Sequence, residues 1–493
     1  MNRRFATLAL ALLLLGGCAT VTNPVTGQRE LTVMSEKDEI AAGRQAHQDV
    51  MKEYAAYANP ALQAYVNELG LRLARQSHRR DLEWRFTVLD TPEINAFALP
   101  GGYIYVTRGL LAYMDSEADL AGVIGHEIGH VTARHSAQRA TRQQAAGVGV
   151  LAATILGAVL EARGARGATD LASTASQGLA AGYIASYSRD QELQADSLGA
   201  EYLARNNYDP KNMIDVIGAL KDQERYAADA ARAEGRKPPS GANWLSSHPS
   251  NEQRLADIRR IAAQYKGNYG DEGRARYLKA IEGLTFGESR EQGVTRGRHF
   301  YHEPLGIALS APAGWRFQNS QEALLVINAA EDAALIVSVL PPKAGNTHEE
   351  IIRNVFNPVG GRTERLSLGG FAATHFAGTA RNRQGQAREV EATVLTGPGG
   401  RHFLLGYAAR DGQALARARG GMREVEATFR ALSDAERAAA RPWTLRSAAF
   451  PQGGFAQLAQ QSPLPRAEQQ LRLLNGVYAG GAPKPGLPVK IVE

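Results

Sequence analysis

The sequence predicts a multidomain α+β protein. A mainly helical domain with a small sheet is expected over residues 35–265, an α/β sandwich over 298–435, and a small strand–helix–helix–strand unit over 441–493. Three observations lead there. At 493 residues the chain exceeds one ordinary domain. Apolar residues recur three or four apart between residues 35 and 76, and again after Ser116, which is the helical period. From residue 298 the pattern changes to short β-rich runs broken by glycine, with two helical stretches among them, and residues 266–297 read as a linker with one short helix. A formal net charge of +6, with no long basic run and no aromatic–basic interleaving, argues against nucleic-acid binding.

The N-terminus comes first. Arg3 and Arg4 precede an apolar run over residues 8–15, so residues 1–17 read as a secretory signal, too short to cross a membrane. Leu15-Gly16-Gly17-Cys18 resembles a bacterial lipobox, which implies cleavage before Cys18 and lipidation of its thiol. Cys18 is the only cysteine, which excludes internal disulfides and cysteine-based metal sites. The resemblance implies an anchor on the periplasmic face of the outer membrane, since Ala19 rather than aspartate follows. Acyl chains hold there by ~0.8 kcal/mol for each buried methylene. Residues 18–34 are expected to be an extended tether.

Two helices are expected between residues 35 and 76, broken at Asn59-Pro60. Trp84, Phe86 and Val88 alternate, and Pro100-Gly101-Gly102 marks a turn into Tyr103-Ile104-Tyr105-Val106, so residues 84–106 should form strands. Ser116 with Asp119 then reads as the N-cap of a helix that no proline interrupts. This helix carries His126-Glu127-Ile128-Gly129-His130. Histidines four apart share one helix face, so their rings can hold one Zn²⁺ while Glu127 between them reaches a water. Glu127 is the expected catalytic base.

A catalytic zinc site needs a third protein ligand. Glu192 lies 62 residues beyond His130, on a predicted helix that runs through Leu203, with Asp196 four residues on and on the same face. Glu192 can complete the ligand set. Asp196 can accept the free ring N–H of a ligating histidine and fix its tautomer. The strand segment Asn95, Ala96 and Phe97 is the expected edge on which an extended peptide would pair. Residues 145–160 carry no charge and read as a packed or surface-dipping helix; residues 161–182, small and glycine-rich, read as a mobile loop over a cleft.

HEIGH, SRDQELQAD, NAFALPGG, and Ser247-His248-Pro249 followed by Arg254 together resemble the zinc metallopeptidase family that includes the CAAX prenyl protease, HtpX and BepA. The resemblance spans about residues 23–265. It implies a gluzincin-type catalytic domain holding one Zn²⁺ per chain through His126, His130 and Glu192, with Glu127 as catalytic base and Asp196 behind the ligands. It places His248 near the metal, in one of two roles: stabilising the oxyanion, or filling the open coordination position in a latent state. A turn residue before Pro249 is the other reading of His248. Arg254 would orient the acidic groups around the site. Two departures limit the resemblance. Integral members carry transmembrane helices, absent here beyond the signal, and the tetratricopeptide period of BepA is not found, so chaperone-like repeat functions are not carried over.

Residues 298–432 read strand, strand, strand, helix, strand, strand, strand, helix, an α/β sandwich similar to the PsbP/Mog1 type. His299, His302, His348, His375 and His402 are scattered without ligand spacing and read as structural. Residues 441–493 resemble a divergent LysM module, which implies a partner in peptidoglycan. The expected function is an envelope lipoprotein zinc metalloendopeptidase that hydrolyses unfolded or misassembled periplasmic or outer-membrane proteins. The alternative is a latent protease serving as a peptidoglycan-binding or envelope-assembly scaffold. An aminopeptidase or glycan-trimming hydrolase suits the edge-strand segment less well.

Overall fold

Helical caps and turn glycines delimit the elements much as their sequence signals require. A computed structural model describes residues 19–142, 187–235, 244–248, 252–320, 323–381 and 387–493. The expected signal at 1–17, Cys18, and the stretches 145–160 and 161–182 lie outside the described residues. The chain forms two compact units: the described residues up to Phe286 together with Thr444–Glu493, and Gly287–Trp443. The architecture is α+β, helical with small sheets first and rich in antiparallel sheet afterwards.

The first unit opens with a hairpin in place of the expected tether. Strands β1 (Ala19–Thr22) and β2 (Arg29–Thr32) pair antiparallel. The turn forms because Asn23 Oδ1 accepts from the Val25 and Thr26 amides and Gly27 takes φ +69°. Helices α1 (Glu36–Glu53) and α2 (Pro60–Ala74) follow, capped by Ser35 and Asn59, with the break where Asn59-Pro60 predicts it. Strands β3 (Arg85–Leu89), β4 (Ala96–Leu99) and β5 (Tyr103–Thr107) form a sheet of order β3-β5-β4, with β4 antiparallel to β5 and β3 parallel to it. Gly101 and Gly102, at φ +80° and +101°, make the β4–β5 turn. Then come α3 (Arg108–Tyr113), α4 (Glu117–Thr132), α5 (Arg189–Arg205), α6 (Asn212–Ala233), α7 (Trp244–Ser247), α8 (Glu252–Ala262) and α9 (Arg274–Ala280). Among the described residues, no helix is long and apolar enough to cross a membrane.

The one short helix expected within the linker 266–297 is α9, and it packs into the first unit. Helix α9 buries Tyr277 and Leu278, the Tyr277 hydroxyl donates to the Leu111 carbonyl at 2.5 Å, and Arg276 reaches Glu117 at 3.1 Å. Strand β6 (Thr285–Phe286) closes this segment.

The second unit holds β7 (Val294–Arg296), β8 (His299–His302), β9 (Ile307–Ser310), β10 (Arg316–Asn319), β11 (Leu324–Ile327), β12 (Ala333–Val339), α10 (His348–Phe356), β13 (Pro358–Leu368), β14 (Phe371–Arg381), β15 (Ala387–Thr396), β16 (His402–Ala409), α11 (Gly412–Ala427) and β17 (Arg430–Ala431). Seven strands form an antiparallel sheet of order β10-β11-β12-β16-β15-β14-β13, and four more a sheet of order β17-β9-β8-β7. Val394 and Leu395 are adjacent on β15 and so face opposite sides of the sheet. Val394 packs with Ile351 and Ile352 of α10, and Leu395 belongs to the core shared by Met422 and Val425 of α11. The helices therefore cover opposite faces. The scattered histidines serve this unit: His375 meets the Thr393 hydroxyl at 2.9 Å, and His348 the Thr374 hydroxyl at 2.9 Å.

The tail has the expected order, β18 (Trp443–Ala449), α12 (Gly454–Ala459), α13 (Ala467–Leu474) and β19 (Pro488–Val492), but the likeness to a LysM module finds no support. Residues from Thr444 onward belong to the first unit, where β18 is the central strand of a sheet of order β19-β18-β6. Lys490 is fully buried, and its ammonium donates to the Ala112 carbonyl at 3.0 Å and the Met114 carbonyl at 2.7 Å, with Asp115 Oδ1 at 3.1 Å. Burial pushes the Lys490 ammonium below its ordinary pKa, while Asp115, against the pull of burial, is held low by Lys490 and Arg274. The tail thus clamps the residues that lead into α4. Replacing Lys490 by Met should destabilise the first unit by about 2–4 kcal/mol, because two carbonyls and a carboxylate lose a buried donor. Chemical denaturation checks this; an unchanged midpoint and slope would contradict it.

Candidate active site

Helix α4 begins with the capping box that Ser116 and Asp119 predict. Ser116 Oγ accepts from the Asp119 amide at 3.1 Å, and Asp119 Oδ2 accepts from the Ser116 amide at 3.0 Å. Every residue of the helix is buried. Its partner is α5, which also starts in a capping box, made by Ser188 and Gln191. The two backbones touch. A Cβ added to Gly129 would stand 2.9 Å from the Ala195 carbonyl oxygen, and one added to Gly199 would stand 3.1 Å from the His126 nitrogen. Only residues without side chains allow that approach.

The approach brings the expected ligands together. His126 Nε2 and His130 Nε2 lie 3.0 Å apart, and each lies 3.6 Å from a Glu192 oxygen. His248 joins them, its Nδ1 at 3.0 Å from Glu192 Oε1 and 3.2 Å from His126 Nε2. One ligand atom from each of His126, His130, Glu192 and His248 lies within 4.8 Å of all the others. Glu127 sits beside this cluster, 3.5 Å from His248 Nε2. None of the five is more than 2% exposed, so the centre is closed to solvent.

Behind the ligands lies a charged support. Asp196 Oδ1 is 2.9 Å from His126 Nδ1, and Arg254 reaches both Asp196 oxygens, at 2.7 and 2.8 Å. The same guanidinium stands 2.8 Å from Glu192 Oε2 and donates to the His248 carbonyl at 2.9 Å. Burial would raise the Asp196 carboxyl, but Arg254 outweighs it and the pKa is lowered to about 2. Burial would lower the His126 imidazolium, but Asp196 outweighs it and the pKa stands above the ordinary value. His130 is held well below, by burial first and then by the neighbouring His126.

The donors suit zinc. Imidazole nitrogens and one carboxylate are its usual ligands, and a carboxylate on His126 Nδ1 leaves the Nε2 lone pair aimed into the cluster. His126, His130 and Glu192 would hold the ion. Such a donor set, carrying its own carboxylate base on the same helix, is that of a zinc-dependent hydrolase.

The comparisons agree. The model of peptidase family M48 matches residues 60–262. The beta-barrel assembly-enhancing protease of Yersinia pestis is 34% identical over 212 residues, which is 42% of this chain and 40% of that protein. The mitochondrial metalloendopeptidase OMA1 of Schizosaccharomyces pombe is 30% identical over 266 residues, 52% of this chain and 72% of that protein. The chain belongs to peptidase family M48. It spans 40% of the length of the Yersinia relative. Cyanobacterial PsbP of Synechocystis is 13% identical, covering 28% of this chain and 94% of that one, at a TM-score of 0.21, too low to define a fold.

The expected edge segment lies at an edge. Strand β4 ends its sheet and packs on α4. Asn95 precedes it and pairs inward, its carbonyl accepting from the Thr107 amide at 3.0 Å. Antiparallel alternation then turns the peptide groups of Ile94 and Ala96 to the open side. Phe97 stacks on Tyr105 with ring centres 4.8 Å apart.

Three contributors went unread in the sequence. Trp244 donates its indole N–H to Glu127 Oε1 at 3.0 Å and stacks on His248 at 4.6 Å. Tyr187 stacks on His130 at 3.8 Å. His135 Nδ1 lies 2.8 Å from His130 Nδ1. Tyr187 falls within the SRDQELQAD neighbourhood, and His135 five residues after His130, but neither spacing fixes a contact across helices.

Asp196→Asn should weaken zinc binding by roughly 10–100-fold with the helical content unchanged, measured by competition with a chromophoric chelator. Because the metal-free His126 holds its proton above the ordinary histidine range, zinc must displace a proton, and affinity should fall as pH is lowered from about 8 to about 6. A pH-independent affinity would contradict the assignment of His126 as ligand.

Proposed function

We propose that this protein is a zinc metalloendopeptidase of the bacterial cell envelope, lipid-anchored at Cys18, that cleaves unfolded or misassembled envelope proteins. The observation that carries the peptidase reading is the buried convergence of His126, His130 and Glu192 beside Glu127. The envelope placement rests on the signal-like N-terminus and the lipobox-like Leu15-Gly16-Gly17-Cys18. The substrate class is supported by relatives named for enhancing β-barrel assembly.

Bound zinc supplies Lewis-acid polarisation of the scissile carbonyl and acidifies the attacking water. The chain's own residues do the rest. The open side of β4, around Ala96, pairs with an extended peptide and sets its carbonyl over the centre. Glu127 takes the water's proton on its carboxylate and delivers it to the leaving nitrogen. Asp196 and Arg254 hold His126 and Glu192 in place. His248 donates a ring N–H to the oxyanion when it is free to do so.

The alternative, a latent protease with a scaffold role, draws on a specific observation. His248 stands among the ligands, Trp244 occupies Glu127, and the Trp244 amide donates to the Ile94 carbonyl at 2.8 Å, taking the first acceptor of the open edge. A closed resting state follows from that arrangement.

Glu127→Gln should keep one zinc per chain and lose cleavage of an unfolded protein substrate by about 10²–10⁴-fold. Cleavage at the native rate in that variant would overturn the mechanism. His248→Ala separates the two readings: faster turnover marks a latch, slower turnover an oxyanion donor. Trapping envelope proteins with Glu127→Gln tests the substrate class, and recovery of cytoplasmic proteins alone would refute it.

A further inference from the structure

The two ligand histidines are supported from behind in different ways. His126 faces the Asp196 carboxylate, at 2.9 Å. His130 faces another imidazole: its Nδ1 and His135 Nδ1 are 2.8 Å apart, and His135 is fully buried. Two ring nitrogens at that distance form a hydrogen bond only if one carries the proton and the other its lone pair. The distance alone leaves the direction open.

Gln194 decides it. On the far side of the ring, His135 Nε2 lies 2.9 Å from Gln194 Oε1, a carbonyl oxygen that can only accept. His135 must therefore carry its proton on Nε2. A neutral imidazole then has a lone pair on Nδ1, so His130 must donate from its own Nδ1. The remaining nitrogen of His130, Nε2, is left as a lone pair facing His126 Nε2 and Glu192, which is the form a zinc ligand needs. The opposite orientation of the Gln194 amide would reverse every bond in the chain and put a proton on the ligating nitrogen.

We infer that Gln194, acting through His135, fixes the ring tautomer of His130 and is a positioning residue of the metal centre. The inference rests on the zinc reading of the site. Its chemical consequence is an asymmetric pair of ligands: one backed by a carboxylate, the other by a neutral relay. With Glu192 already contributing one negative charge, the neutral relay adds none to the donor set, which preserves the positive charge on which the metal's Lewis acidity depends. Glu192 and Gln194 both lie on α5, so one helix supplies a ligand and the end of this relay.

The test uses the full-length zinc-loaded protein. Zinc per chain and affinity are measured first for the native chain, by chelator competition. A native chain that binds no zinc defeats the reading of the site itself. Given one zinc, Gln194→Leu, which keeps the volume of a half-buried side chain and removes the acceptor, should weaken zinc binding by about tenfold. His135→Ala should weaken it by roughly 10–100-fold. Gln194→Glu, which restores an acceptor, should return the affinity to within about threefold of native. In addition, ¹⁵N-histidine spectra of the native protein should show His135 protonated at Nε2 and His130 at Nδ1. Zinc affinity unchanged in both Gln194→Leu and His135→Ala, no rescue by Gln194→Glu, or His135 protonated at Nδ1 would each overturn the inference while leaving the zinc reading intact.

Discussion

The backbones of α4 and α5 meet at Gly125, Gly129, Ala195 and Gly199, and the convergence of His126, His130 and Glu192 depends on that contact. A side chain is only a few ångströms long, so Glu192 can reach a lone pair on His126 or His130 only if the helices nearly touch. Gly199 faces the His126 nitrogen and Gly129, which lies between His126 and His130, faces the Ala195 carbonyl, so the closest approach falls at the ligands themselves. The same close packing leaves no room for solvent. Tyr187, Trp244 and His248 complete the burial of the ligands that this contact brings together.

That burial sets the electrostatic problem the rest of the unit answers. Glu127, Glu192 and Asp196 are three carboxylates in a region without water, and an unpaired buried charge is costly. Arg254 spans Asp196, Glu192 and the His248 carbonyl, so one guanidinium neutralises part of the charge and ties α8 to the site. A planar fork does this where a point charge would not. A second pair, buried Lys490 with half-buried Asp115, secures the other end of α4, just ahead of its Ser116 cap. The tail and the catalytic helix are thereby bound into one unit.

What was legible in the sequence was what local chemistry fixes. The i, i+4 spacing of His126 and His130, the caps at Ser116, Asn59 and Ser35, and the glycine turn at Gly101 each depend on residues a few positions apart. Glu192 and Asp196 were readable because their own spacing repeats the helical period. The hairpin of β1 and β2 was hidden because the Asn23 and Gly27 turn sits between strands of only four residues each. The packing of α9 and of the tail was hidden for a different reason. Tyr277 and Lys490 look like ordinary surface-compatible residues until the carbonyls of Leu111, Ala112 and Met114 are placed beside them. Trp244 and His135 belong to the same class: their roles exist only once α4, α5 and α7 are assembled.

The position of His248 carries the final constraint. A catalytic zinc ion must keep room for a water and for the substrate carbonyl. With His126, His130 and Glu192 as ligands, a fourth donor from His248 would fill that room, and Trp244 meanwhile hydrogen-bonds Glu127 and the Ile94 carbonyl. These contacts all belong to one short segment, Trp244 to His248. On the proposed pairing, an extended substrate on β4 would compete for the Ile94 carbonyl, and its own carbonyl would compete for the place of His248. On that proposal, occupation of the edge and opening of the centre are coupled, because the segment that takes the Ile94 carbonyl also holds Glu127.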